Sequence, residues 1–465
     1  MEGTRSWPVF AVTALGAFVA SLDVSIVNIA FPSVRASFPD VTEAGLAWII
    51  TAYGIVFGAL LVTAGRLSDR YGRRRVFVTG LAVFGAASAL CGLAPSLPVL
   101  VAGRAVQAVG SACVLPSSLG LLLAAYPAAR RSQVVAFWSG VGALAIATGP
   151  SLGAVIVQGL GWRGVFYVNL PVCALAIAGV RPALRASGLA DDRTDAAGRG
   201  DPLGVVLLIA GLSALVLAIS QGNDWGWSDP RLLAALAAAA VLLAAFVVRA
   251  HRRTDTVLDL TLFRERAFSA ANSAMIVFNV GFFAMLLGNI LFLTGVWHWT
   301  TLAAGLAVTP GPIVVALVSG QAGRVAARIG FRPVLLVGAA FFVGGMAWYR
   351  FKVGPEPDFL GAWLPGALLS AVGIALTVPV LAAGAVSTLP PHRFGVGSAV
   401  NQTARQVGGA IGVAVLVTVL GPAASLRGFQ HVWVVIAVCA LASACLSALI
   451  GARRTAEVTG PVPAR

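Results

Sequence analysis

Charge is scarce in this chain. Only 11% of its 465 residues are charged, against about a quarter in an ordinary soluble domain. A water-facing globule of this length is therefore excluded. Histidine is rarer still, with four residues, and the five cysteines all fall in apolar runs. None of them has metal-ligand spacing, so no metal or histidine-based catalytic centre is expected, and the cysteines read as small core residues. No basic run is interleaved with aromatics on a polar domain, which argues against nucleic-acid binding.

What the chain has in quantity is hydrocarbon. It is 58% hydrophobic, with a mean hydropathy of +0.91 and 53 glycines. A helix that crosses a bilayer needs about 20 predominantly apolar residues. Fourteen runs qualify, at approximately 8–31, 44–64, 76–94, 98–125, 133–158, 164–182, 202–220, 231–249, 268–295, 301–323, 333–350, 359–383, 396–420 and 429–451. Trp225, Trp227, Trp297 and Trp299 fall at span ends, where amphipathic rings prefer the interface. The longest polar linker is 185–201, and a shorter one covers 251–266.

The net charge of +15 follows from topology rather than from a partner. Of the 32 basic residues, 24 fall in one set of connections and six in the alternate set, while Arg104 and Arg405 lie inside spans. Loops rich in arginine stay in the cytoplasm. The expectation is a multi-pass protein of the cytoplasmic membrane with both termini cytoplasmic.

An internal repeat organises the spans. Residues 64–76, AGRLSDRYGRRRV, align with residues 322–334, AGRVAARIGFRPV, at an offset of 258, with seven of thirteen positions identical. The same offset carries the first span onto the ninth and the fifth onto the thirteenth. Spans 1–6 and 9–14 are thus two related six-helix halves, and spans 7 and 8 are an inserted pair. The expected division is 1–184 for the N-terminal bundle, 185–266 for linkers and the inserted pair, and 267–465 for the C-terminal bundle and tail. Parallel six-helix repeats are a transporter architecture with the site between the halves.

In these positions the chain resembles the major facilitator superfamily, and within it the drug:proton antiporters of 14 spans. Gly65 through Arg74 is similar to the loop 2–3 signature of the superfamily. Leu22-Asp23 through Pro32 looks like the first-span motif of the 14-span branch, and Trp48, Thr51 and Tyr53 match its second span. Arg104 and Gln107 resemble a fourth-span Arg-x-x-Gln-Gly motif, with Ala108 in place of the glycine. Gly149-Pro150 and Gly153 look like the fifth-span antiporter motif, and residues 401–409, NQTARQVGG, resemble the penultimate span. The resemblance covers nearly the whole chain. It implies an all-α polytopic membrane protein of the major facilitator fold, two six-helix bundles plus two inserted helices.

Asp23 is the first candidate. Of seventeen acidic residues it alone lies deep in a span, and a carboxyl in hydrocarbon is a functional-site hypothesis by default. It reads as the proton carrier, with displacement of the proton by a bound cation; the alternative is a structural carboxylate held by neighbouring helices. Arg104 must find an acceptor, because it cannot deprotonate. The resemblance implies a role in proton transfer or in binding near the loop 2–3 acid, and a purely structural pairing with backbone carbonyls stands beside it. The 258 offset places Gly281 opposite Asp23 and Ala362 opposite Arg104, so coupling would reside in the N-terminal half.

In the loop 65–75, Gly65 and Gly72 allow a tight turn, and Asp69, Arg70 and Arg73 can pair. The resemblance implies a conformational latch; a topology anchor alone is the plainer reading. Gly149, Pro150 and Gly153 would give a bent, closely packed gating helix, or simply close packing. Asn28, Tyr53, Gln107, Trp138, Asn279, Asn289, Asn401 and Arg405 are candidates for a cavity wall, although Arg405 sits near a helix end, where snorkelling to the interface is the competing expectation.

The function so implied is proton-coupled export of small hydrophobic or monovalent cationic molecules, drugs or antibiotics, driven by the proton gradient without a cofactor, by a monomer. The rivals are a carrier for one physiological metabolite and, more remotely, a membrane enzyme. Spans 7 and 8, built of alanine, leucine and valine, are expected to face lipid.

Overall fold

In a computed structural model of the chain, residues 6–187, 201–253, 260–387, 389, 394–421 and 425–450 are described. The central parts of both polar linkers and the two chain ends lie outside them. Among the described residues there are fourteen helices long and apolar enough to cross a membrane. They are α1 (Trp7–Ser37), α2 (Glu43–Tyr71), α3 (Arg73–Gly92), α4 (Leu97–Ala125), α5 (Ala128–Leu160), α6 (Asn169–Ser187), α7 (Pro202–Ser220), α8 (Pro230–Arg252), α9 (Arg266–Gly295), α10 (Thr301–Ile329), α11 (Phe331–Lys352), α12 (Leu364–Val386), α13 (Phe394–Leu420) and α14 (Leu426–Ser447).

Local chemistry sets where these helices begin. Thr42, Asp201, Thr300 and Ser425 each accept a hydrogen bond from the backbone N–H three residues on, which satisfies a donor the first turn leaves free. Proline stands in the first turn of α1, α4, α7 and α8, where its missing N–H costs nothing. In α10 the span is made of two segments, Thr301–Val308 and Pro310–Ile329. The break falls at Thr309-Pro310, because proline removes a backbone hydrogen bond. A turn of π-helix, Phe359–Trp363, leads into α12.

The repeat is reproduced in space. In the first six helices α1 packs on α5, α3 on α4, and α2 on α4; in the last six α9 packs on α13, α11 on α12, and α10 on α12. Gly72, between α2 and α3, has φ +95°, and Gly330, between α10 and α11, has φ +92°. They stand 258 residues apart, and each takes a left-handed conformation that a side chain would strain. The halves meet along α2–α13, α5–α10 and α1–α9.

Spans 7 and 8 are more than a lipid-facing appendage. The outer helix α8 is mostly exposed, but α7 lies in the groove between the halves. Its Val205, Leu208, Leu212 and Val216 pack with Ile55 and Ala59 of α2 and with Ala410 and Ala414 of α13. Thr418 of α13 donates to the Ile219 carbonyl at 2.6 Å, and Asn223 donates back to the Thr418 carbonyl at 2.5 Å. Small residues on α2 and α13 let the third helix approach. At the opposite end of α7 an ion pair joins its buried Asp201 to the partly exposed Arg249 of α8, 2.8 Å away. Trp297 follows the end of α9, is 4% exposed and stands among Phe292, Trp299 and Trp363, with its indole N–H donated to the Gly354 carbonyl.

Candidate functional site

Asp23 is fully buried, and so is Arg104 at 2% exposure. Position 23 on α1 faces α4, and Arg104 lies one turn below Gln107 on that helix. Arg104 Nη1 donates to Asp23 Oδ2 at 2.5 Å. Gln107 Nε2 donates to Asp23 Oδ1 at 2.8 Å, and Asn169 of α6 donates to the same oxygen at 3.3 Å. Arg104 also donates to the Ile49 carbonyl of α2 through Nε and to Gln107 Oε1. Its guanidinium sits 4.3 Å from the centre of the Tyr53 ring. Ser88 of α3 accepts from both Gln107 and Asn169, and the Tyr53 hydroxyl donates to Ser111. Five helices of the N-terminal half therefore converge on one carboxylate.

Two charges removed from water carry a desolvation cost that only good geometry and full hydrogen bonding offset. Here the carboxylate accepts from three side chains and the guanidinium has three oxygen acceptors and an aromatic face. Gln107, expected at a cavity wall, belongs to this network instead. Ser88, Ser111 and Asn169 were not singled out from the sequence. Small polar residues are common in spans, and nothing in their spacing marks them as partners of position 23.

A separate cavity of about 260 Å3 lies between the two halves. α1, α5, α9, α10, α12 and α13 contribute to its wall, which is largely apolar: Ile146, Phe282, Val315 and Ile374 are representative. Its polar side chains are Ser25, Asn28, Asn289, Ser370 and Arg405, with the indole of Trp363. No aspartate or glutamate is among its lining residues. Ser25 and Asn28 are on α1 with Asp23, but on the opposite side of the helix, two and five residues further along. The ion pair and the cavity thus share a helix without sharing a surface.

Of the eight candidate wall residues, three line this cavity: Asn28, Asn289 and Arg405. Arg405 does not snorkel to an interface. It is half-buried on the cavity wall because α13 packs against α2 and α9 and turns that face inward. Tyr53 faces Arg104 and a small crevice shared with Gln406. Asn279 is fully buried, donating to the Met275 carbonyl of its own helix. Asn401 donates to Asn272 at 3.1 Å. The Trp138 indole donates to the Thr13 carbonyl, which ties α5 to α1 away from the cavity.

Helix α5 is wedged between α1 and α10. A Cβ at Gly149 would overlap Ser25 Oγ, and one at Gly153 would come within 2.6 Å of Ile26 and Ile29. On its other side, Gly305 of α10 lies so close that a Cβ there would be 2.7 Å from the Pro150 carbonyl. Ser151 and Thr309 share a hydrogen bond across this seam. Pro150 itself lines the cavity.

In the loop between α2 and α3, Arg73 donates to the Gly120 carbonyl of α4 at 3.2 Å and stands 3.8 Å from Asp69. Arg70 lies over the Tyr71 ring, and Gly65 approaches Pro116 of α4. These contacts join α2, α3 and α4 within the N-terminal half.

Two six-helix bundles with an apolar cavity between them, and a sealed ion pair beside it, define a membrane transporter. A family model described as Major Facilitator Superfamily matches residues 13–413. The chain belongs to that superfamily, and is a transporter rather than an enzyme. It is 34% identical over 409 residues to the multidrug resistance protein Stp of Mycobacterium tuberculosis, covering 88% of this chain and 74% of the relative. Identity is 32% over 417 residues to the tetracenomycin C resistance and export protein of Streptomyces glaucescens, covering 89% and 75%. It is 31% over 466 residues to the puromycin resistance protein of Streptomyces alboniger, covering 96% and 90%. Among solved structures, a D-xylose–proton symporter superposes with a TM-score of 0.66 at 15% identity, covering 95% of this chain and 97% of that one. At that identity the likeness is one of fold.

Proposed function

We propose that this chain is a proton-coupled exporter of small hydrophobic molecules, drugs or antibiotics among them, working by alternating access. The observation that carries this reading is the pairing of an apolar inter-half cavity with the occluded Asp23–Arg104 ion pair on the opposite side of α1. Relatives named for multidrug, tetracenomycin C and puromycin resistance support the export direction and the substrate class. No cofactor is needed, since the proton gradient supplies the work. The chain acts as a monomer in the cytoplasmic membrane, and its arginine-rich loops put both termini in the cytoplasm.

Protonation of Asp23 removes one charge of the pair and leaves Arg104 held by the Ile49 carbonyl, Gln107 and the Tyr53 ring. That change alters the packing of α1 against α4. Because Ser25 and Asn28 are on the same helix, the cavity wall responds. Proton and substrate therefore compete through the position of α1 rather than by meeting at one carboxylate. With cytoplasmic termini, the α5–α10 seam at Pro150 and Gly305 closes the outer side. The cationic half of the expected substrate range has no counter-charge in the wall. A carrier for one polar metabolite would require several matched polar groups, and this wall has few.

The test is expression in an efflux-deficient bacterial host, with susceptibility measured across a broad compound panel, followed by uptake into inverted vesicles with and without a pH gradient. Raised resistance to several apolar compounds and gradient-dependent uptake are expected. Uptake of a single polar metabolite with no change in susceptibility would favour the metabolite carrier.

A further inference from the structure

Among the described residues, Arg405 is a cation with no partner. It is the one charged residue among those lining the central cavity. Its Nε is buried and has no hydrogen-bond acceptor, and no ion pair or hydrogen bond joins it to any described residue. The Trp363 indole Nε1, on a second lining residue, is likewise buried without an acceptor. The buried Arg104, by contrast, has its carboxylate, its carbonyl and its aromatic ring. A guanidinium cannot discharge itself by losing a proton, so in a low-dielectric chamber it attracts an anion strongly.

Neighbouring wall groups do not supply that anion. Ser25 and Ser370 donate to carbonyls of their own helices, and Asn28 donates to the Val24 carbonyl. The carboxylate of Asp23 is held by three donors on the far side of α1. We infer that the cavity takes an apolar molecule bearing one acidic group, a carboxylate or an ionised phenol or enol, with Arg405 as its counter-charge. The planar guanidinium offers two parallel N–H groups to such an oxyanion. Around it Ile146, Phe282, Val315 and Ile374 cover the hydrocarbon part. This names the substrate class of the proposed export site and rests on that reading for the location of the site.

Equilibrium binding of three matched probes to the purified full chain in nanodiscs tests it at pH 7.5: 1-naphthaleneacetate, its neutral primary amide, and 1-naphthalenemethylamine as the cation. The carboxylate is expected to bind about ten-fold or more tighter than the amide, as charge-assisted hydrogen bonds allow, with the ammonium weakest. In Arg405→Gln the carboxylate advantage over the amide disappears. Arg405→Lys keeps most of the advantage, and unchanged thermal unfolding shows that both variants fold. Equal binding of carboxylate and amide, tighter binding of the ammonium, an advantage that survives in Arg405→Gln, or no binding of any probe overturns the inference. Inverted vesicles separate this from the export reading. Gradient-driven uptake of the amide without a carboxylate preference leaves export standing and removes the anion site. A carboxylate preference in the purified protein, with no transport of any probe, does the reverse.

Discussion

Asp23 and Arg104 meet at 2.5 Å across α1 and α4, and both side chains are buried. Removing one partner strands the other. Arg104→Ala is expected to lower stability by about 3–5 kcal/mol, the usual cost of an uncompensated buried charge. Thermal unfolding in detergent measures it. A double variant, Asp23→Asn with Arg104→Ala, should be more stable than Arg104→Ala alone, and a strictly additive cycle would show that the two side chains are not coupled.

Asp23→Asn is isosteric and keeps one acceptor oxygen, while Arg104 retains the Ile49 carbonyl, Gln107 Oε1 and the Tyr53 ring. The variant should fold and reach the membrane, and gradient-driven transport into inverted vesicles should be abolished. If that variant still pumps at the original rate, Asp23 is a structural residue and the coupling group lies elsewhere.

Gly149 has no room for a methyl group, because Ser25 Oγ occupies the space. Gly149→Ala should cost about 1–3 kcal/mol through overpacking and slow transport by shifting α5 off α1. Adding Ser25→Gly should restore part of both, read as unfolding temperature and initial uptake rate. Gly305→Ala would meet both Ala154 Cβ and the Pro150 backbone carbonyl, so Ala154→Gly on α5 should rescue it only in part.

Asp201 caps α7 and pairs with Arg249 of α8, with 2% of its surface exposed. Asp201→Ala removes both interactions and should cost about 2 kcal/mol. Limited proteolysis near the linker 188–200 should then quicken. An unchanged cleavage rate would mean that the inserted pair is anchored by the α7–α13 seam alone.

Ala316 lines the cavity on α10. Ala316→Phe should reduce export of three-ring compounds more than of single-ring ones, with unfolding temperature unaltered. Competition assays in vesicles would reveal the size dependence, and equal losses for all compounds would place Ala316 outside the path.

Much of this molecule was legible from its sequence. Fourteen spans follow from run length, because the bilayer leaves helices no other way to satisfy their backbone. The 258-residue repeat foretold two matched halves, and Gly72 and Gly330 show the match down to a backbone angle. Asp23 stood out because a lone carboxylate in hydrocarbon is costly. Arg104 stood out for the same reason, and both prove to be one object.

Partner identity was not legible. Ser88, Ser111 and Asn169 reach Asp23 and its partners from α3, α4 and α6, and only packing decides which face of each helix points inward. The same limit explains Tyr53, Asn279 and Asn401, whose amphipathic chemistry suits a cavity but whose helix rotation buries them elsewhere. Arg405 is the sharpest case. Depth along α13 favoured an interface, whereas the turn of that helix against α2 and α9 put its charge on the cavity wall. Composition and periodicity determined what crosses the membrane and how often; the azimuth of each helix, set by the shapes of its neighbours, decided which polar groups pair and which remain open to a substrate.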